Sequence, residues 1–249
     1  GFSGGSLQNT IYFGILGGFG MMVEKIKNIY ISSFIYRIID QAVSRHFRKR
    51  LRNKEFTILC SNCIGGVIYH RLGSKFYSPT VNMFFSQPDF VDFCVNLEYY
   101  LGQKLCFISS DAGYPIAELR GNGDISTIRL NFNHSKSNEE AEEKWNERKE
   151  RIRRDNLYII LYMLDGLTVE KVKELENVKC NNKVLLTSRH LPEISWSHYI
   201  KPNERQKYAS SYLGKDIFGV RYFEKEFDFV SFLNKGAHVN AESETASKK

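Results

Sequence analysis

"EFTILCSNCIGGVIYHRLG", residues 55–73, holds a short β-rich apolar run, a turn of small polar residues and an amphipathic segment that ends on glycine. Phe56 to Leu59 alternates in the manner of a strand, and the run from Cys63 to Leu72 repeats at helical spacing before Gly73 supplies a stop. A strand leading through a tight turn into a helix is the elementary unit of an α/β protein.

The same alternation continues along the chain. "TVNMFF" (80–85) reads as a second strand, followed by Ser86-x-x-Asp89, a helix-capping pattern, and by the periodic run "FVDFCVNLEYYLG" (90–102). "KLCFIS" (104–109) reads as a third strand. "YPIAEL" (114–119) and "ISTIRLNF" (125–132), joined by the turn "RGNGD", predict a hairpin. Ser137-x-x-Glu140 caps a charged helix whose early acids and late bases suit the helix dipole. The strand "LYIILYML" (157–164), a helix from Thr168 to about Leu175 and the strand "KVLLTS" (183–188) complete the pattern, and "GVRYFEKEFDFVSFLNKG" (219–236) closes with a strand or turn and a helix. The expected fold is a three-layer α/β domain, Rossmann-like, with a mainly parallel sheet and helices on both faces.

Four regions follow. Residues 1–21 read as an added or upstream segment before a natural start at Met21 or Met22; their apolar stretch "IYFGILGGFGMMV" (11–23) is too short to cross roughly 30 Å of hydrocarbon. Residues 22–53 predict a basic amphipathic helix, 54–235 the α/β domain, and 236–249, which lack large apolar residues, a disordered tail.

The chain has 249 residues and a net charge of +7, concentrated in clusters such as "RHFRKRLRNK" (45–54) and "ERKERIRR" (147–154). Such clusters are either solvated helix faces or contacts for anions, and an anionic membrane surface is a candidate partner for the first. No aromatic interleaving or nucleic-acid motif accompanies them, so no nucleic acid is expected. Five irregularly spaced cysteines do not form a disulfide framework and suit a reducing compartment. The expected location is the cytoplasm, or its membrane face.

Cys60-x-x-Cys63 invites a redox reading, but Cys60 falls within the strand rather than at a helix start. A structural zinc site would need a second pair of ligands, which the other cysteines do not supply, so no metal is expected. G-x-G-x-x-G and the P-loop pattern are both absent. Even so, the turn at Asn62, Gly65 and Gly66 can present free amides to an anionic group, and the helix start can favour a Cys63 thiolate.

In an open parallel sheet, ligands gather at the carboxyl ends of the strands. Cys63, His134 and Asp165 each follow a predicted strand. If those three strands are parallel neighbours, the side chains share one sheet edge and would supply a nucleophile, a base and an orienting carboxylate for acyl transfer through a thioester. Each also has a plain structural alternative: a buried filler for Cys63, loop support for His134, a turn-shaping role for Asp165.

"SNCIGG" (61–66), "YSPTVNMFF" (77–85), "FNHSKSNEEAEEKWNERKERI" (132–152) and "RYFEKEFDFVSFLN" (221–234) closely resemble a bacterial family of exopolysaccharide-biosynthesis proteins that contain a domain of unknown function. The resemblance runs in order over roughly residues 50–235. It aligns the family cysteine with Cys63, leaves Cys60 as an extra, and implies a transferase of surface (exo- or capsular) polysaccharide biosynthesis, acting on an activated donor and a polysaccharide or lipid-linked sugar acceptor. The alternative enzyme is a nucleotide-sugar glycosyltransferase in which Gly65, Gly66, Lys136 and Arg189 contact phosphate. A third reading is a non-catalytic scaffold of a polysaccharide assembly complex, drawing on the basic helix and the tyrosines near Tyr208 and Tyr212. The cofactor is left open.

Overall fold

The computed structural model describes residues 34–163, 166–201 and 213–235. Helix α1 (Phe34–Arg50) leads into β1 (Thr57–Cys60) and α2 (Ile64–Leu72), which stops where Gly73 takes the left-handed conformation at φ 65°. The two-residue strand β2 (Phe84–Phe85) precedes α3 (Gln87–Val95), capped as its sequence predicts by Ser86 Oγ accepting from the Asp89 amide at 3.2 Å. Then come α4 (Leu97–Gly102), β3 (Cys106–Ile108), β4 (Ile116–Leu119), β5 (Ile128–Asn131) and α5 (Asn138–Lys149), whose Ser137 hydroxyl accepts from the Glu140 amide. β6 (Leu157–Tyr162), α6 (Val169–Lys173), a 3₁₀ turn (Glu174–Asn177), β7 (Asn182–Thr187), β8 (Ser197–Tyr199) and α7 (Tyr222–Glu226) follow, and residues 229–235 are helical.

Among the described residues the strands form two sheets. One is parallel throughout, in the order β1-β6-β7-β8; the other is antiparallel, in the order β2-β5-β4-β3. Neighbours β1 and β6 pair in register from Thr57 with Leu157 to Cys60 with Ile160, and the whole antiparallel sheet lies in the chain between them.

Strands β1 and β6 and the second half of β7 are buried on both faces, which suits their apolar runs. Leu59, Ile159, Leu161 and Leu185 belong to one core, which also holds Phe90, Phe93, Leu130 and Trp145 from α3, β5 and α5. Ile58, Cys60, Tyr158, Ile160 and Leu186 point the other way, into a core with Phe47, Ile68, Tyr69, Phe229 and Val230 from α1, α2 and the C-terminal helix.

This corrects the expected single, mainly parallel sheet. β3, expected as a third strand, pairs antiparallel with β4, and the predicted hairpin of β4 and β5 builds a second sheet, so the strands before Cys63 and His134 are not parallel neighbours. β8, only three residues long, carries no strand signal in the sequence. The physical reason is that short β-rich runs show that a segment is extended but not what it pairs with.

Helix α1 packs on the domain through Phe47 and through a buried ion cluster. Its end is fixed by Asn53, whose side-chain amide donates to Tyr158 Oη at 2.8 Å and to the Leu233 carbonyl at 3.0 Å. The predicted helix start before Phe34, the tail 236–249 and the tyrosines near 208–212 lie outside the described residues. Among the described residues no helix is long and apolar enough to cross a membrane.

Candidate functional site

Beyond Cys60 the parallel ladder extends by one bond, Ser61 N–H donating to the Ile160 carbonyl. Ser61 then joins the two sheets: its carbonyl accepts from the Phe85 amide of β2 at 3.1 Å, and its hydroxyl accepts from the Tyr162 amide. Because β2 pairs with β5, this bond brings the end of β5 and the loop after it to the carboxyl edge of β1.

At that edge Asn62 Oδ1 accepts from the Ile64 amide at 3.0 Å and lies 3.5 Å from Cys60 Sγ. Cys63 is the N-cap of α2 and already has helical geometry, φ −68° and ψ −7°. The glycine pair that follows is a packing device. A Cβ on Gly65 would lie 2.9 Å from the Cys60 Cβ, and one on Gly66 would lie 2.9 Å from Asn82 Oδ1 and 3.2 Å from Val81. Their missing side chains let α2 settle directly on β1 and on the segment before β2, and both are buried.

Cys63 Sγ and His134 Nε2 are 3.5 Å apart, within hydrogen-bonding range of sulfur. The Cys63 thiol is half-buried and His134 is exposed. His134 arrives on a turn closed by Ser135 N–H to the Phe132 carbonyl, and Phe132 N–H is tied to the Pro115 carbonyl beside β4. Asn133 contributes a side-chain hydrogen bond to the same sulfur. It escaped sequence reasoning, although it is adjacent to His134 in "FNHS"; an asparagine in a polar loop has no spacing that marks it.

The electrostatics differ from the sequence expectation. Amides of Ser61, Asn62 and Gly65 are directed at Cys60, not Cys63, and burial nonetheless pushes the Cys60 thiol up to about 12. Burial also raises Cys63, with Asn133 pulling back. Cys63 therefore rests as a thiol at neutral pH, and forming its thiolate requires a base. With a proton on Nδ1, His134 presents a free Nε2 lone pair to it.

The remaining predicted residues separate. Lys136 follows two positions after His134, is exposed, and lines a polar depression of about 260 Å³ with Ser110, Tyr114 and Ser137. Arg189, beyond the carboxyl end of β7, lines a different one of about 290 Å³ with His190 and Tyr199, whose rings stack at 4.1 Å. Lys136 and Arg189 thus do not share a depression, and neither one includes Gly65 or Gly66. Asp165 lies outside the described residues. Among the described residues no three His, Cys, Asp or Glu side chains are grouped to hold a metal ion.

Together these features define an α/β protein with a thiol–imidazole pair at the carboxyl edge of its parallel sheet, where an inserted antiparallel sheet delivers the imidazole. The chain belongs to the family described as Domain of unknown function (DUF1919), whose model matches residues 34–234. It is also similar to a protein of Haemophilus influenzae (strain Rd), itself described as uncharacterized, at 32% identity over 198 residues, covering 77% of this chain and 90% of that protein.

Proposed function

We propose that the protein is a group transferase in which Cys63 is the nucleophile and His134 the base, moving an acyl group from an activated donor to a sugar hydroxyl. The observation that carries this reading is the 3.5 Å approach of His134 Nε2 to Cys63 Sγ at a sheet edge where ligands are expected. His134 takes the thiol proton as sulfur attacks the acyl carbonyl. The donor's leaving group departs with that proton, leaving a thioester on Cys63. The acceptor hydroxyl then gives its proton to His134 as it attacks the thioester, and the proton returns to the departing thiolate. Asn133 steadies the sulfur, and Asp165 is assigned the orientation of the imidazole. On the same reading the parallel sheet is the floor of a three-layer, Rossmann-like unit. The sugar acceptor, polymeric or lipid-linked, and the place in surface-polysaccharide synthesis come from the sequence resemblance.

The test is complementation of a strain lacking the gene, followed by NMR of its surface polysaccharide. Loss of an acyl substituent, restored by the parent and the Cys60→Ser protein but not by Cys63→Ser or His134→Ala, is the expected result. A truncated repeat unit would instead indicate glycosyl transfer from a nucleotide sugar. Unchanged polymer in reduced amount, restored equally well by Cys63→Ser, would indicate a scaffold.

A further inference from the structure

We propose that the outward face of α1 is a docking surface for an anionic lipid bilayer. Phe34, Arg37, Ile38, Arg45 and Lys49 are all exposed. At 3.6 residues per turn they fall within an arc of about 120° on one side of the helix. Phe34 is 76% exposed and Ile38 50%, one turn apart at one end of this stripe, and the cations occupy the rest. The opposite side carries Tyr36 and Phe47 into the domain, and Ser44 is buried on the flank. Among the described residues of the helix the only carboxylate, Asp40, is paired with Arg71 at 2.9 Å and Lys215 at 2.8 Å, so it does not offset the outward charge.

A solvated helix face accounts for the cations alone, and a polyanion such as RNA has no use for an exposed Phe–Ile pair beside them. A membrane interface uses both: phosphate headgroups meet the cations while the apolar pair enters the headgroup–acyl boundary. The structure also revises which cations are available. Of the basic cluster, Arg48 donates Nε to the Arg71 carbonyl at 3.2 Å and Arg50 is engaged with Asp228, whereas Arg37, nearer the apolar end, faces outward. The proposal concerns attachment and does not depend on the chemistry assigned to Cys63.

Co-sedimentation of the full chain with vesicles tests it, using phosphatidylcholine alone or mixed with phosphatidylglycerol, at low and high salt. Binding is expected on the anionic vesicles and should weaken with salt. Converting Arg37, Arg45 and Lys49 together to Gln should lower affinity by roughly a hundredfold, at about fivefold per cation. The pair Phe34→Ser and Ile38→Ser should lower it by about tenfold or more. Both variants change exposed side chains, and circular dichroism melts verify their folding. Equal binding to neutral vesicles, binding undiminished in both variants, or binding to RNA with none to vesicles would each overturn the proposal.

Discussion

Arg71 and Glu224 meet in a two-pronged buried ion pair, Nε to Oε1 at 2.7 Å and Nη2 to Oε2 at 2.8 Å, with the Glu224 side chain wholly out of solvent. Arg71 also donates to Asp40, to Ser44 Oγ and to the Gly219 carbonyl, so one guanidinium joins α1, α2 and the segment before α7. Arg71→Met leaves Glu224 buried without its partner and should cost about 3 to 5 kcal/mol. Adding Glu224→Leu to that variant should recover part of the loss, because the unpaired charge goes with it. Urea unfolding of the two single variants and the double variant measures this coupling; additive losses would show that the pair does not act as a unit.

The same cluster should be acid-sensitive. Burial pushes the Asp40 carboxyl up, but Lys215 and Arg71 together hold it below its ordinary value. A lowered folded-state pKa stabilises the protein above the unfolded-state value, about 3.9, and that contribution disappears as pH falls through the lower folded value. Asp40→Asn should therefore unfold at lower urea than the parent at pH 7, with the gap narrowing below about pH 4.

The thiols should separate by reactivity. Peptide mapping after iodoacetamide treatment should find Cys63 modified in the native protein and Cys60, fully buried with its thiol near 12, modified only after unfolding. Because burial raises Cys63, its labelling rate should climb through a higher pH than that of an ordinary thiol. Asn133→Ala removes the bond that favours the thiolate and should move this rise higher still. An unchanged profile would remove Asn133 from the site.

Two glycines should respond in opposite directions to alanine. Gly65→Ala sets a methyl 2.9 Å from the Cys60 Cβ, with Ile58 at 3.6 Å, and should cost about 1 to 3 kcal/mol. Gly102→Ala, in α4 with nothing within 4 Å, should be neutral or stabilising by up to about 1 kcal/mol. Thermal denaturation compares them directly.

Much of the fold is legible because local chemistry dictates it. The caps at Ser86 and Ser137, the stop at Gly73 and the buried runs of β1, β6 and β7 all follow from residue type and spacing. Strand partners are harder to read. "TVNMFF" contributes just Phe84 and Phe85 to a sheet, and their pairing with Asn131 and Leu130 depends on residues more than forty positions away. The same limit applies to the site. Cys63 and His134 can be selected by chemistry, but the route that joins them runs through a backbone bond from Phe85 to Ser61, and backbone bonds leave no mark on side-chain pattern. The smallness of the glycine pair suggests an anion cradle, but close packing of helix on strand requires the same property.

The insertion of an entire sheet between paired strands also constrains how the chain reaches its native state. Thr57 and Leu157 are direct neighbours across β1 and β6 although a hundred positions separate them. Closing so long a loop is entropically costly and is expected to be slow. Contacts within the insert, such as the β4–β5 hairpin, span far shorter stretches and can form beforehand, shortening the loop that remains. Cys63 is placed by the edge of β1 and His134 by the end of β5, so their meeting requires both events. The rate at which Cys63 regains its native reactivity during refolding would therefore report the last long-range step of assembly, and the protein would acquire its chemistry only when the whole topology is in place.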